Sequence, residues 1–449
     1  AVVGGSMGGQ QALTWAVRHP ERVAGAVAIA TSARLTTQAL AFDVVGRNAI
    51  QRDPDFRGGQ YLSENTTPAV GLALARMLGH ITYLSPEAMR QKFGADRLKP
   101  RELATTFEKR FSVGSYLAYQ GDKFVERFDA NSYIRLSLAM DLFDLGETLE
   151  TLSENLGRSR CRWLILSFTS DWLFPPGQSL DLAQALIARN KPVSYCNIAS
   201  SCGHDAFLLP DELPVYGGFM RAFLQNLRGA PGRTEEEDAL DADAPTSIFG
   251  ALRRPRIDYN QIVRLIPPDA SVLDLGCGRG SLLVRLREEG NRKLVGLEIS
   301  EEDVLHCLER GFDVIQADLN SGLEIFSDAQ FDCVVLSHTL QAVRDVERLI
   351  SEMLRVGRRS IVSFPNFAYH KLRRMLQEEG KSPISSGLLR HEWYNTPNIR
   401  FFSIADFEDF CRDHHITIHE RIALDTEEGR VVTEDANRLA DMALFVISR

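Results

Sequence analysis

The stretch AVVGGSMGGQQALTWAVR, residues 1–18, joins a short apolar run, a serine among small residues and a segment with the apolar spacing of an amphipathic helix. Ser6 stands in the pattern G-x-S-x-G, between Gly4 and Gly8. A nucleophile elbow requires this order of strand, tight turn and helix, because small neighbours let the turn expose the hydroxyl. Ordinary glycine–serine turns share the pattern, so the prediction of Ser6 as a nucleophile depends on partners elsewhere in the chain.

Two later segments supply such partners. SFTSDWLFPP places Asp171 just after an apolar run, and SCGHDAFL places His204 in a loop after the next run. The order Ser, Asp, His is that of α/β-hydrolases. In such a triad the imidazole takes the serine proton, and the carboxylate fixes the imidazole tautomer. One oxyanion donor is then expected to be the backbone N–H of Met7, the residue after the nucleophile.

Short apolar runs separated by loop residues and helical patterns predict an α/β chain. The strand-like runs are 23–30, 161–168 and 192–198, then 271–275, 293–299, 312–317, 331–337 and 359–364. Helical patterns dominate between about 35 and 150, which predicts a helical lid. The predicted organisation is an incomplete α/β-hydrolase domain over 1–228, an acidic linker over 229–249 and a second α/β domain over 250–449.

The composition of the chain limits which classes of binding partner and which cellular compartment are expected. The net charge is −9 with both signs interspersed, which gives no basic surface for nucleic acid or an anionic membrane. No apolar run reaches the roughly 18 residues of a membrane span. Seven scattered cysteines without CxxC or Cys/His ligand spacing indicate a reducing compartment, the cytoplasm, and no metal site. The expected partners are therefore small molecules.

A glycine loop marks the second domain. VLDLGCGRGSLL, residues 272–283, contains Asp274 followed by Gly276, Gly278 and Gly280, between a strand and a helix. Glycines there let the backbone approach a ligand closely at a helix N-terminus. The last two glycines are spaced G-x-G rather than G-x-x-G, which argues against a dinucleotide. A glycine-rich turn in a sheet that binds nothing is the alternative interpretation.

This pattern, with an acidic residue at the end of the next strand, resembles class I S-adenosylmethionine-dependent methyltransferases, which have a Rossmann-like fold. The resemblance implies that the loop lies along the methionine part of the cofactor. It implies that Glu298 accepts hydrogen bonds from the ribose hydroxyls and that Asp318 lies near the adenine.

Five blocks in the first domain, GGSMGGQQALTWAVRHPERV, GLALARMLGHITYLS, YQGDKFVERFDANSY, SDWLFPP and CGHDAFLL, closely resemble the homoserine O-acyltransferase family of methionine biosynthesis. The resemblance covers about residues 1–227 and implies a ping-pong reaction in which acyl-CoA acylates the serine and L-homoserine takes the acyl group. It implies that Arg76 holds the substrate carboxylate with Tyr83 nearby, and that Asp205 holds the ammonium group. A site with one fixed cation and one fixed anion can bind the carboxylate and the ammonium group of an amino acid.

The same resemblance leads to expectations about the acyl donor and about the strands that precede residue 1. This chain is more similar to family members that use succinyl-CoA, because it has Trp172 beside Asp171 and is associated with the second domain. Acetyl-CoA is the alternative donor. In this fold, the strand that leads into the nucleophile is normally preceded by other strands of the sheet. Further strands, and the loop that supplies the second oxyanion N–H, are therefore expected before residue 1.

The second domain resembles the MetW family of methionine biosynthesis over about residues 255–449. The blocks that carry this resemblance are IPPDASVLDLGCGRGSLL, VLSHTLQAV, VGRRSIVSFPNFAYH and WYNTPNIRFFSIADFEDFC. The family has a methyltransferase fold, but no acceptor motif of the NPPY type is present here. His338 and His391 are candidate bases by residue type alone.

The sequence thus predicts a homoserine O-acyltransferase fused to a MetW-like domain, with a homodimer left open. Two alternatives remain. One is an S-adenosylmethionine-dependent methyltransferase with a degenerate N-terminal region. The other is a regulator without catalytic activity that senses S-adenosylmethionine and acts on an acyltransferase.

Overall fold

A computed structural model describes residues 1–94, 111–229, 257–384 and 392–449. The chain divides into two compact units, Ala1–Leu227 and Arg228–Arg449. The acidic stretch 230–249 and His391 lie outside the described residues. Among the described helices, none combines the length and the apolar character that crossing a membrane requires.

The first unit contains a parallel sheet whose strands are β1 (Val2–Gly5), β2 (Gly25–Ile29), β3 (Arg162–Phe168) and β4 (Val193–Ile198), in that spatial order. Three helices contact it: α1 (Met7–Arg18), α8 (Pro176–Ile187) and α9 (Leu213–Leu227). Parallel strands buried on both faces appear in sequence as continuous apolar runs, and Trp163, Leu164 and Ile165 of β3 are almost fully buried. This explains why the runs predicted at 23–30, 161–168 and 192–198 fall on β2 to β4.

The segment between β2 and β3 holds six helices within its described residues. They are α2 (Thr37–Gln51), α3 (Ala69–Tyr83), α4 (Pro86–Phe93), α5 (Ser112–Val125), α6 (Ala130–Asp141) and α7 (Leu149–Leu156). In the sequence, SYIRLSLAMDLFDLGETLETL (132–152) has one continuous helical pattern, but the structure divides it between α6 and α7. The reason is that Gly146 has a φ of +138° and a Cβ there would lie 2.5 Å from the backbone nitrogen of Leu152. The helices of this lid enclose their own apolar cluster, which includes Ile50, Leu72 and Phe124.

The second unit contains a mixed sheet in the order β7-β6-β5-β8-β9-β12-β10-β11. Its strands are β5 (Val272–Leu275), β6 (Leu294–Glu298), β7 (Asp313–Gln316), β8 (Phe331–Ser337), β9 (Gly357–Pro365), β10 (Thr417–Asp425), β11 (Arg430–Val432) and β12 (Met442–Ser448). β5 to β9 are mutually parallel, and β12 runs antiparallel to both β9 and β10. Its helices are α10 (Ile257–Leu265), α11 (Ser281–Glu288), α12 (Glu301–Glu309), α13 (Val346–Val356), α14 (His370–Arg374), α15 (Ile404–Asp413) and α16 (Ala436–Leu439).

The strand order of the second unit reverses at β5. The chain proceeds from β5 to β6 and β7 on one side and then places β8 on the other side of β5. In open α/β sheets, ligands bind at such a switch point, outside the carboxyl ends of the strands. Gly276 directly follows β5 and His338 directly follows β8, so the glycine loop lies at this position.

Candidate active site

The turn at Ser6 is a strained nucleophile elbow between β1 and α1. Ser6 has φ 54° and ψ −124°, a conformation that costs energy for a residue with a Cβ. Its N–H donates to the Ile29 carbonyl at 2.9 Å, and its carbonyl accepts from Thr31 Oγ1 at 2.8 Å. A Cβ at Gly4 would lie 2.0 Å from the Gly8 carbonyl oxygen. The glycine and these hydrogen bonds therefore hold the elbow in its strained form.

The three residues of the predicted triad meet at this elbow. Ser6 Oγ lies 2.9 Å from His204 Nε2, and His204 Nδ1 lies 2.8 Å from Asp171 Oδ2. The other oxygen of Asp171 accepts the backbone N–H groups of Leu173 and Phe174 at 3.0 and 2.9 Å. Asp171 and His204 are 2% and 4% exposed. The carboxylate is thus fixed from both sides and determines which ring nitrogen carries the proton.

Aromatic rings fix the orientation of His204. Phe174 stacks on the imidazole at a centroid distance of 4.9 Å, and Phe207 meets it edge-on at 5.5 Å. Gly203, before the histidine, has a φ of +79°, and a Cβ there would lie 2.5 Å from the backbone nitrogen of Ser85. The helical turn Gly203–Leu208 therefore docks closely against the end of α3, with His204 aimed at Ser6.

Met7 is placed to donate to an oxyanion. It is the first residue of α1, whose N-terminal N–H groups have no partner within the helix. In the described part of the chain, the Met7 N–H has no hydrogen-bond acceptor. Met7 and Ser6 line the same cavity, so this N–H and the helix dipole can act on a charge that develops beside Ser6.

The elbow opens on a cavity of about 260 Å³ between the sheet and the lid. The wall is mainly apolar and comes from α2, α3, α6 and the loop after Asp171. Its polar members are Ser6, Asp43, Thr82, Tyr83, Tyr133 and Ser137. Such a cavity suits a short acyl chain bound to the serine, because apolar walls with a few placed polar groups are typical of small-molecule sites.

Arg76, Tyr83 and Asp205 lie together next to the triad. The Arg76 guanidinium is 5.5 Å from the centre of the Tyr83 ring, and that ring is 6.0 Å from the His204 ring. Burial raises the pKa of the Asp205 carboxyl, while His204 and Arg76 oppose the shift. Among the described residues, neither Arg76 nor Asp205 has an ion-pair partner within 4 Å. The site thus presents one cation and one anion that the protein itself leaves unpaired.

Trp172 has a different position from the other predicted residues. Its indole N–H donates to the Leu84 carbonyl at 3.0 Å, and its ring meets Phe42 edge-on at 5.7 Å. Phe42 lines the cavity, whereas Trp172 does not contribute to the wall. The indole joins the loop of Asp171 to the end of α3, so its contact with the cavity is indirect.

The glycine loop of the second unit has the geometry of a ligand cradle. Gly276, Gly278 and Gly280 all have positive φ, and a Cβ added at Gly278 would meet open space. Glu298 Oε2 accepts the Gly278 N–H at 2.8 Å. Its other oxygen accepts the N–H groups of Ile299 and Ser300 at 2.8 and 3.0 Å. Glu298 therefore holds the loop to the end of β6.

The remaining predicted residues of this unit differ in exposure. Asp274 is 2% exposed within β5, and Asp318 is exposed after β7, where its carboxylate accepts the Asn320 N–H at 2.9 Å. His338 has a φ of 54°, and its Nε2 lies 2.9 Å from Asp258 Oδ2. The structure thus places an exposed carboxylate after β7 and, after β8, a histidine that contacts Asp258 of α10.

Sequence reasoning missed three ionisable residues beside the cavity: Asp43, Arg47 and Asp141. Arg47 pairs with Asp141 and donates to Ser137 Oγ at 3.1 Å. The signal was present in ALAFDVVGRNAI, where Asp43 and Arg47 are four residues apart in an apolar helical segment. Residues at this spacing share one helix face, and charges on an apolar face indicate a buried pair.

Comparison with known proteins gives matches to both units. The family model described as Methionine biosynthesis protein MetW matches residues 256–447, and a model of the alpha/beta hydrolase fold matches residues 1–211. A bifunctional methionine biosynthesis protein MetXA/MetW of Rhodopirellula baltica is 48% identical over 100% of this chain and 71% of its own length.

Two homoserine O-succinyltransferases match the first unit. That of Alkalilimnicola ehrlichii is 49% identical over 51% of this chain and 59% of its own length. That of Acinetobacter baumannii is 49% identical over 50% of this chain and 58% of its own length. This chain therefore spans less than two thirds of either succinyltransferase.

Proposed function

Because the chain belongs to the family of bifunctional MetXA/MetW methionine biosynthesis proteins, we propose that its first unit transfers an acyl group from acyl-CoA to the hydroxyl of L-homoserine. The observation that carries this proposal is the hydrogen-bonded series Ser6, His204, Asp171 at the mouth of an apolar cavity. The second unit is its MetW domain.

The first half-reaction forms an acyl ester on Ser6. Asp171 accepts a hydrogen bond from the Nδ1–H of His204, which leaves the lone pair of Nε2 directed at Ser6 Oγ. As Oγ bonds to the thioester carbonyl carbon, Nε2 takes the hydroxyl proton, and the Met7 N–H stabilises the oxyanion. The carbon–sulfur bond then breaks, and His204 returns the proton to the thiolate of CoA.

The second half-reaction transfers the acyl group to homoserine. His204 takes the proton of the homoserine hydroxyl as its oxygen attacks the ester carbonyl, and gives the proton to Ser6 as the ester bond breaks. Arg76 pairs with the substrate carboxylate, and Asp205 with its ammonium group. Among the described residues neither charge has an ion-pair partner within 4 Å, which supports these roles because binding then breaks no existing ion pair.

The acyl donor is proposed to be succinyl-CoA, with acetyl-CoA as the alternative. The two similar succinyltransferases support this choice. We place the reaction in the cytoplasm, since all seven cysteines are free thiols, as a reducing compartment favours.

Stoichiometric release of CoA tests the mechanism. With succinyl-CoA alone, we expect a burst of free CoA close to one equivalent per Ser6, because the first half-reaction needs no homoserine. Adding L-homoserine should release the acyl group as its O-acyl ester. Release of CoA only in the presence of homoserine would contradict an acyl-enzyme.

Substitution of Arg76 by lysine should separate the two half-reactions. Arg76→Lys keeps the charge but loses the planar fork that matches a carboxylate. We expect kcat/KM for homoserine to fall about 10- to 100-fold, as for a lost charge-assisted hydrogen bond of about 1.5–3 kcal/mol. The CoA burst should persist, and Arg135→Lys on the exposed side of α6 is the matched control. Equal loss in both half-reactions would contradict this role for Arg76.

The MetW unit is proposed to bind S-adenosylmethionine at the loop Gly276–Gly280. The open space above Gly278 and the position of Glu298 support this assignment. A carboxylate offers about four acceptor positions, and Glu298 uses three on backbone N–H groups, which leaves one for a ribose hydroxyl. When bound, S-adenosylmethionine supplies a sulfonium methyl group.

A further inference from the structure

The cluster beside the acyl cavity consists of Asp43 and Arg47 on α2 and Asp141 on α6. Asp43 lines the same cavity as Ser6, and Ser137, which also lines it, accepts a hydrogen bond from Arg47. Arg47 pairs with Asp141, and the two side chains are 9% and 11% exposed. A buried cation thus stands behind a wall of the cavity that contains a carboxyl group.

Asp43 and Asp141 form a carboxyl pair in which Asp43 is the member whose pKa is raised. Asp141 Oδ1 is buried and receives no hydrogen bond from a nitrogen or a hydroxyl group of the residues that the structure describes. The group that faces it is the Asp43 carboxyl, which can donate a hydrogen bond only in its protonated form. Burial, the hydrogen bond to Asp141 and its charge together raise the pKa of Asp43 to about 7, and Arg47 opposes them.

We propose that this carboxyl pair is the distal subsite of the acyl cavity, and that it admits the terminal carboxylate of a dicarboxylic acyl group such as succinyl only while it holds its proton. The inference rests on the proposed acyl transfer through Ser6. A third anion beside two ionised carboxylates would be buried without compensation, which is costly. A protonated Asp43 instead turns its one O–H from Asp141 to that anion, and Arg47, which stays paired with Asp141, balances the charge of that carboxylate.

The other groups near Asp43 do not share this behaviour. Tyr133 of α6 and Tyr83 of α3 are both buried, which raises the pKa of each phenol and keeps it neutral. Arg76 of α3 contributes a positive charge that acts on both phenols. The charge that changes near pH 7 is therefore that of Asp43, and an acetyl group, which carries no charge, should not respond to it.

The test compares acylation of Ser6 by succinyl-CoA and by acetyl-CoA as a function of pH. The rate of CoA release is measured for each donor between about pH 6 and 9, and the ratio of the two rates is plotted. An effect of pH on the attack by Ser6, which is common to both donors, changes both rates equally and cancels in the ratio. We expect the succinyl-to-acetyl ratio to be constant below pH 7 and to fall roughly tenfold per pH unit above it, as the protonated fraction does.

Two substitutions at Asp43 make the test specific. Asp43→Asn has an amide with two N–H donors, one for Asp141 and one for the ligand, and it does not titrate. The succinyl-to-acetyl ratio of Asp43→Asn should therefore stay high at every pH. Asp43→Ala removes the donor, so its ratio should be low at every pH while acetyl transfer persists. Asp122→Asn, exposed on α5, is the control, and melting temperatures verify that each variant is folded.

Several results would overturn the proposal. One is a ratio that does not depend on pH in the unsubstituted chain. Another is an Asp43→Asn variant with the same pH dependence, and a third is an Asp43→Ala variant that loses both donors equally. If neither donor acylates Ser6 at any pH, the proposed function fails as well, whereas acylation with an unchanged ratio refutes only the distal subsite.

Discussion

Replacing His204 by alanine is expected to lower homoserine acylation by a factor on the order of 10⁴ to 10⁶. The ring lies between Ser6 Oγ and Asp171, so its removal eliminates the proton acceptor of both half-reactions. The remaining rate would come from the oxyanion donor and from substrate positioning. Single-turnover release of CoA measures the first half-reaction directly, because it does not depend on homoserine.

A matched substitution distinguishes this chemical role from a loss of folding. His19→Ala removes an exposed histidine after α1 and should leave the rate within about twofold of the original. Homoserine binding by His204→Ala should persist, since Arg76 and Asp205 are unchanged. A loss of less than about tenfold in CoA release would contradict the assignment of His204 as the general base.

Replacing Glu298 by alanine is expected to weaken binding of S-adenosylmethionine about 100-fold or more. The change removes the acceptor for the ribose hydroxyl and frees the Gly278 N–H, and each charge-assisted hydrogen bond contributes about 1.5–3 kcal/mol. Titration calorimetry on the whole chain with S-adenosylmethionine measures the effect. Glu288→Ala at the exposed end of α11 is the control.

Because Glu298 also holds the loop to β6, a second variant is needed. Glu298→Gln keeps one acceptor oxygen, so it should bind more tightly than the alanine variant and less tightly than the original chain. Unchanged affinity in Glu298→Ala would refute the proposed cofactor site. Binding without transfer of the methyl group to any acceptor would favour the role of a sensor for the MetW unit.

The triad was predictable because each of its residues follows a strand, and the carboxyl ends of parallel strands meet at one edge of a sheet. Ser6 follows β1, Asp171 follows β3 and His204 follows β4, so chain order and strand spacing already bring them near each other. The hydrogen-bond distances and the stacking of Phe174 on His204 depend on side-chain packing, which no local pattern specifies.

The proposed subsite at Asp43 was not predictable in this way. Its partner Asp141 is about a hundred residues away on a different helix, and only the packing of α2 against α6 brings the two carboxyls together. The role of Glu298 as an anchor for Gly278 is a similar case. The sequence indicates an acid at the end of β6, but the hydrogen bond to the loop depends on the path of the backbone after β5.

Apolar runs in the sequence predicted many of the strands. The elements that they did not predict have physical reasons. β2 to β9 are largely buried and appear as continuous apolar segments. β10 was missed because its first half, TIHER (417–421), is mainly polar and solvent-exposed. The break between α6 and α7 was missed because apolar residues continue through it at helical spacing, while the backbone turns at Gly146.

The central claim is that Ser6 carries the acyl group. The most direct measurement is to mix the whole chain with succinyl-CoA, quench with acid, digest the protein and determine the mass of the peptide that contains Ser6. We expect one succinyl group on that serine, absent in Ser6→Ala and lost again when L-homoserine is added before the quench. A succinyl group on any other residue, or an unmodified Ser6 peptide after CoA has been released, would contradict it.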